Sequence, residues 1–296
     1  MKQMWYILVS MRPKQWTKNL VLFAGIVYSK RFLEPQLVLK SLAGFIVFCL
    51  LSGVIYILND LSDRARDGEH PKKKNRPIAS GVLAPPIALV FSLALIAVLI
   101  FASWHIGRGF FYMAVAFLLV NGTYSILLRH VVILDVIAIS FSFLIRAGAG
   151  VEVLHKDVPE LEFSPWLWIC TLFLALFLAI CKRRNEFGFA ENAVAHRVVL
   201  REYSSRLLDQ LVGLSATATI ISYSVYTVWP ATVSKFGTTR LVYTIPFVVF
   251  GIMRYLYLVY NRNEGGDPSG VLLTEKAIVI DVFLWFVVTA FIILTA

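Results

Sequence analysis

Apolar stretches of nearly bilayer-crossing length dominate this chain, at about 16–29, 41–61, 87–106, 110–128, 131–150, 166–182, 208–229, 241–260 and 277–296. A helix needs ~20 predominantly apolar residues to cross a hydrocarbon core. With 58% hydrophobic residues and a mean hydropathy of +0.74, the chain is too apolar for an ordinary soluble domain. The expected fold is all-α: a polytopic membrane bundle of about nine transmembrane helices, with residues 1–296 forming a single transmembrane domain. The first stretch is short, and its start at Trp16-Thr17-Lys18-Asn19 suggests a first turn at the interface.

Lysine and arginine set the orientation. With the N-terminus in the cytoplasm, Lys2, Arg12, Lys14, Lys18, the run from Arg64 to Arg76, Arg129, Lys182 to Arg206, Arg262 and Lys276 all fall on the inner face. That asymmetry obeys the positive-inside rule and places the C-terminus outside. No cleaved signal peptide is expected, because Met1 to Trp5 lead into a brief apolar patch without a small-residue cleavage site. A net charge of +10 would suggest nucleic acid for a soluble chain, but the aromatics here lie inside the apolar stretches rather than along a basic groove. The membrane is the expected partner, and nucleic acid is not. Cys49, Cys170 and Cys181 lack metal-ligand spacing and read as packing residues.

Ionisable groups are costly within a membrane unless they line a polar site. The helix ends that open the inner loops 62–86 and 182–207, together with Arg129-His130 and the stretch from Arg12 to Asn19, therefore predict a cytoplasm-facing polar cavity. Its centre is Asn59-Asp60-Leu61-Ser62-Asp63-Arg64-Ala65-Arg66-Asp67. The spacing puts Asp60, Asp63 and Asp67 on one face of a helix, where like charges repel unless a cation joins them. Carboxylate oxygens with room for water and phosphate suit Mg²⁺, with Asn59 as a further oxygen donor. The alternative is a solvated acidic turn at a helix end. Against it stands the run Lys72 to Pro77, which places phosphate-binding cations beside the metal ligands.

Asn59-Asp60-xx-Asp63-xxx-Asp67, followed by Lys74-Asn75-Arg76-Pro77-Ile78-Ala79-Ser80-Gly81, resembles the first Asp-rich motif and adjoining loop of the UbiA-type intramembrane prenyltransferase superfamily. Met11 to Asn19, Tyr124-Ser125, Leu134-Asp135-Val136, Phe143 to Ala147, and Lys182-Arg183 with Glu186 are more similar to the branch containing decaprenyl-phosphate phosphoribosyltransferase. Aromatic prenyltransferases of the superfamily carry a second DxxxD-type motif after the sixth span, where this chain has Lys182-Arg183-Arg184-Asn185-Glu186.

The resemblance implies transfer from phosphoribosyl pyrophosphate to a polyprenyl (decaprenyl-type) phosphate, releasing pyrophosphate, on the inner side of a bacterial cytoplasmic membrane and toward cell-wall arabinan precursors. Asn59, Asp60, Asp63 and Asp67 would hold Mg²⁺, with Asp67 the least sensitive. Lys14, Lys18, Asn19, Arg76, Tyr124, Arg129, Asp135, Lys182, Arg183 and Glu186 would bind substrate. Two bland readings stand beside these roles: Lys14 and Lys18 as interfacial anchors, and Lys72 to Lys74 as topological charges. Arg146, far along its helix, is expected to be structural. Two other function classes stay open, a prenyl transfer from a diphosphate to an aromatic or other acceptor and a transporter, as does homo-oligomerisation.

Overall fold

The computed structural model describes residues 2–71, 73–161, 165–188, 198–262 and 264–296, so Lys72 lies outside the described residues. Among these residues the regular structure is helical throughout, without a strand. The chain divides into two compact units. Met1–Ile126 with Ile145–Glu162 form the first, and Leu127–Leu144 with Phe163–Ala296 the second.

In the first unit, α1 (Lys2–Ser10) leads into a 3-10 segment (Pro13–Phe23) and a short α2 (Ala24–Tyr28). Next come α3 (Pro35–Ser62), α4 (Arg64–Glu69), α5 (Pro85–Ile106) and α6 (Arg108–Ile126). Proline opens both α3 and α5, where its missing N–H costs no helical hydrogen bond. The buried side chains of α3 include Phe48, Leu51, Val54 and Ile57, whereas α5 and α6 keep many apolar side chains such as Val90, Phe101 and Leu119 exposed. Exposed apolar faces on helices of this length are suited to lipid.

The expected first span is not one α-helix. Residues Pro13–Phe23 are wound as a 3-10 helix, which rises about 2.0 Å per residue. Those 11 residues and the five of α2 therefore follow a helical path of roughly 30 Å, close to the hydrocarbon thickness. A stretch too short to cross as α-helix reaches that length by winding tighter.

A close backbone crossing holds this segment in the first unit. A Cβ on Gly150 would lie 1.9 Å from the Leu22 carbonyl oxygen, and one on Gly25 would lie 1.9 Å from the Gly150 carbonyl oxygen. Only glycine fits at these two points. Gly150→Ala is expected to destabilise the protein by at least the ~1–3 kcal/mol of an overpacked core, since backbone rather than a flexible side chain must yield. Thermal unfolding in detergent checks this, with Gly122→Ala, which meets open space, as the tolerated control.

The helix α7 (Leu134–Glu152) contributes to both units. The second unit continues with α8 (Pro165–Gly188), a 3-10 turn (Val198–Glu202), α9 (Ser205–Val228) and α10 (Pro230–Phe236). It ends with α11 (Ile245–Tyr257), a π-helical turn (Leu258–Arg262), α12 (Pro268–Thr274) and α13 (Lys276–Leu294). Ser204 caps α9 by accepting the Leu207 N–H at 3.1 Å. α8 packs along α9, and Phe177, Cys181, Leu208, Val212, Tyr255 and Leu258 share one buried apolar cluster. Cys181 is thus a packing residue, as expected, and all three cysteines are free.

Seven described helices are long and apolar enough to span a membrane. The two remaining expected spans fall on the 3-10 and α2 pair and on α8, a 24-residue helix.

Candidate active site

The Asp-rich motif folds as a corner rather than a stripe. α3 ends at Ser62, Asp63 takes φ −93° and ψ 6°, and α4 restarts at Arg64. On one continuous helix Asp60 and Asp67 would be separated by about 10 Å of rise. Instead, Arg76 Nη1 donates to Asp60 Oδ1 at 3.0 Å and to Asp67 Oδ2 at 2.5 Å. Arg12 pairs with the same Asp60 oxygen from a left-handed backbone, φ 51°, with its guanidinium 4.8 Å from the Tyr56 ring centre. Lys73 Nζ stands 4.0 Å from Asp67 Oδ1.

Asp60 and Asp67 are buried, 2% and 3% exposed, while the Asp63 side chain is 24% exposed and accepts from Arg66 at 2.9 Å. The expected single helix face is therefore corrected: the helix breaks at Asp63, and Arg76 joins Asp67 to Asp60. Asn59 is half-buried, and its carbonyl accepts the Asp63 N–H at 2.9 Å.

No group of three His, Cys, Asp or Glu side chains able to hold a metal is assembled among the described residues. Mg²⁺ is typically held by one or two protein carboxylates, the rest of its shell being phosphate and water. The Asp60 and Asp67 pair fits that donor set.

The other residues expected near the first span behave differently from one another. Lys14 is exposed and Lys18 half-buried. Asn19 is fully buried: its Oδ1 accepts from Arg146 Nε at 2.6 Å and from Ser52 Oγ at 3.3 Å, while its amide donates to Cys49 Sγ at 3.3 Å. With its oxygen and amide so engaged, Asn19 joins Arg146, Ser52 and Cys49 in one polar cluster. The Arg146 guanidinium also lies 4.6 Å from the Phe117 ring centre, in keeping with the structural role expected of it. Tyr124 is half-buried on α6.

The second unit holds its own polar cluster. Arg183 Nε donates to Asp135 Oδ2 at 2.5 Å and its Nη1 to Glu186 Oε2 at 2.8 Å, with side-chain exposures of 1% for Arg183 and 0% for Asp135. Tyr203 Oη donates to Asp135 Oδ1 at 2.7 Å and accepts the Ile133 N–H at 2.8 Å. Burial, and then donation to Asp135, push the Tyr203 phenol well above its ordinary range, so it stays protonated and a donor.

Successive helical residues point about 100° apart, and the basic run disperses accordingly. Arg184 turns to Asp209, Nε to Oδ1 at 2.6 Å, with its guanidinium 5.5 Å from the Tyr260 ring. Asn185 fits against Gly266, where a Cβ would lie 2.7 Å from Asn185 Oδ1. Lys182 is half-buried, and Arg129 Nε donates to His130 Nε2 at 3.1 Å.

Sequence reasoning placed Arg12 on the inner face and in the stretch bordering the expected cavity without making it a site residue, and it did not single out Tyr203. The left-handed backbone at Arg12 and the contacts of Tyr203 across 68 and 70 residues have no local sequence signal.

Long apolar helices with carboxylates and arginines gathered at helix ends define an integral membrane enzyme. A family model described as the UbiA prenyltransferase family matches residues 20–287, and the chain belongs to that family of transferases. Decaprenyl-phosphate phosphoribosyltransferase of Mycolicibacterium smegmatis is 31% identical over 301 residues, covering 94% of this chain and 89% of the relative. The enzyme of that name from Corynebacterium glutamicum is 30% identical over 290 residues, covering 93% and 83%. Among solved structures, a UbiA homolog from Archaeoglobus fulgidus bound to GPP and Mg²⁺ superposes with a TM-score of 0.72 at 17% identity, covering 98% of this chain and 100% of its own. That likeness bears on the fold.

Proposed function

We propose that this enzyme transfers the 5-phosphoribosyl group of phosphoribosyl pyrophosphate to a polyprenyl phosphate of decaprenyl type, releasing pyrophosphate. The observation that carries this reading is the identity of about 30% over more than nine-tenths of the chain to enzymes named for that acceptor and that transferred group. The family match runs through both units, which supports residues 1–296 working as one catalytic domain. Basic residues concentrate on the loops assigned to the inner face, which supports an N-terminus and active site on the cytoplasmic side and a C-terminus outside; the bacterial cytoplasmic membrane and a role in making arabinan precursors for the cell wall are proposed from the likeness to the named relatives.

Breaking the anomeric C–O bond leaves negative charge on departing pyrophosphate, and stabilising that charge is the largest demand on the site. Asp60 and Asp67 are the residues that would hold Mg²⁺, with Asn59 and Asp63 as outer donors; when bound, the ion neutralises pyrophosphate oxygens. Arg12 and Arg76, both already paired with Asp60, bring bidentate-capable guanidiniums to the same place. The acceptor phosphate is ionised at neutral pH and needs no general base. Lys14, Lys18, Lys182, Tyr124 and Arg129 are proposed to bind substrate. Asp135, Arg183 and Glu186 are engaged with one another, so their role is to set the shape of the substrate-binding surface.

Purified protein supplied with labelled phosphoribosyl pyrophosphate, Mg²⁺ and a polyprenyl phosphate should form a labelled lipid and pyrophosphate. Transfer from a prenyl diphosphate to an aromatic acceptor instead, with no labelled lipid, would replace this reading with the prenyl-transfer one.

A further inference from the structure

We propose that Tyr203 is a positioning residue of this transferase, acting by holding a strained bend at Ile133 and, through it, the orientation of Asp135 and Arg183. The proposal rests on the phosphoribosyl-transfer reading for the substrates of its activity assay and on geometry for the rest.

Ile133 has φ 69°. A β-branched residue in the left-handed region is a genuine outlier, and such conformations persist only where the surroundings over-determine them, often next to functional groups. Here the bend is tied on both sides. The Ile133 carbonyl accepts the N–H groups of Val136 at 3.2 Å and Ile137 at 3.0 Å, starting α7, while its own N–H goes to Tyr203 Oη at 2.8 Å. The bend sets the rotation at which Asp135, in the first turn of α7, leaves the helix.

The same phenol oxygen then donates to Asp135 Oδ1 at 2.7 Å, leaving Oδ2 for Arg183. One hydroxyl thus fixes a backbone bend and the carboxylate two residues on. Without it the Ile133 amide loses its acceptor and the Asp135 carboxylate keeps one donor about which to turn. The Arg183 guanidinium, and Glu186 beyond it, follow that turn. No other described side chain is seen to bond the Ile133 amide.

The test uses full-length protein in detergent: the parent, Tyr203→Phe, Ile133→Gly and the double variant. Amide hydrogen exchange resolved to Ile133, and kcat and KM for both substrates, are measured together. Slow exchange at Ile133 is expected in the parent. Tyr203→Phe should speed it at least tenfold and lower kcat at least tenfold. Ile133→Gly alone should leave kcat near the parent. In the double variant, glycine adopts the bend without strain, and kcat should recover at least threefold over Tyr203→Phe, the remaining loss being that of the donor to Asp135.

Fast exchange at Ile133 in the parent overturns the proposal, as does a Tyr203→Phe variant with parental exchange and kcat. A kcat loss in Tyr203→Phe that Ile133→Gly leaves wholly unchanged also overturns it, because the hydroxyl would then act on Asp135 alone and not through the bend. If the parent does not turn over phosphoribosyl pyrophosphate, the functional reading fails, while the exchange measurements still decide the role of Tyr203 at the bend.

Discussion

Asp60→Asn and Asp67→Asn are each expected to lower phosphoribosyl transfer ~100- to 1,000-fold, the range for losing one stabilising contact to charge developing in the transition state, here through the Mg²⁺ the two carboxylates would hold, whereas Asp63→Asn stays within about tenfold of the parent. The order follows burial and partners. Asp60 and Asp67 are almost wholly buried and share Arg76, while Asp63 is partly solvated and pairs with Arg66 on its own short helix. Steady-state rates at saturating substrate, with gel filtration to confirm folding, make the comparison. A loss in Asp63→Asn as deep as in Asp67→Asn would return the motif to a three-carboxylate arrangement. Raising Mg²⁺ should partly restore Asp67→Asn, since one carboxylate remains to bind the ion, and metal titration of the rate reads this directly.

The second large effect is on stability. Arg183→Gln is expected to destabilise the protein by ~3–5 kcal/mol, because it leaves the Asp135 charge buried without its cation, and Asp135→Asn by less, because Glu186 still pairs with Arg183. At ~2–4 °C per kcal/mol for a chain of this order, the thermal midpoint falls by roughly ten degrees. Replacing both, as Asp135→Leu with Arg183→Met, should recover most of the midpoint, since a packed apolar pair avoids the desolvation cost, but not the rate. A single variant with a parental midpoint and a raised KM for one anionic substrate would instead make Arg183 a direct phosphate ligand.

The spans were legible because a membrane helix needs a long apolar run and little else, so hydropathy alone locates α3, α5, α6, α7, α9 and α13 to within a few residues at most ends. The winding of Pro13–Phe23 was not, because the apolar content of a stretch does not distinguish 3-10 from α. Within the Asp-rich motif the presence of Asp60 was legible from its chemistry. The corner at Asp63 was not, since no proline or glycine marks the break between Ser62 and Arg64. In the basic run at the end of α8, residues adjacent in sequence look like one cationic patch, yet the partners of Arg183 and Arg184, Asp135 and Asp209, lie 48 and 25 residues distant on other elements.

The corner at Asp63 also has a mechanical meaning. A 28-residue helix anchored in lipid tilts when the bilayer thins or thickens, and a carboxylate seven residues further along a rigid rod would swing with it. Because the rod ends before Asp63 and α4 is tied to the loop carrying Arg76 by the bond to Asp67, tilt is absorbed in the torsions at Asp63. The separation between Asp60 and Asp67 is then gauged by the single nitrogen that bonds both, and activity is expected to vary little when the protein is reconstituted in bilayers of different thickness.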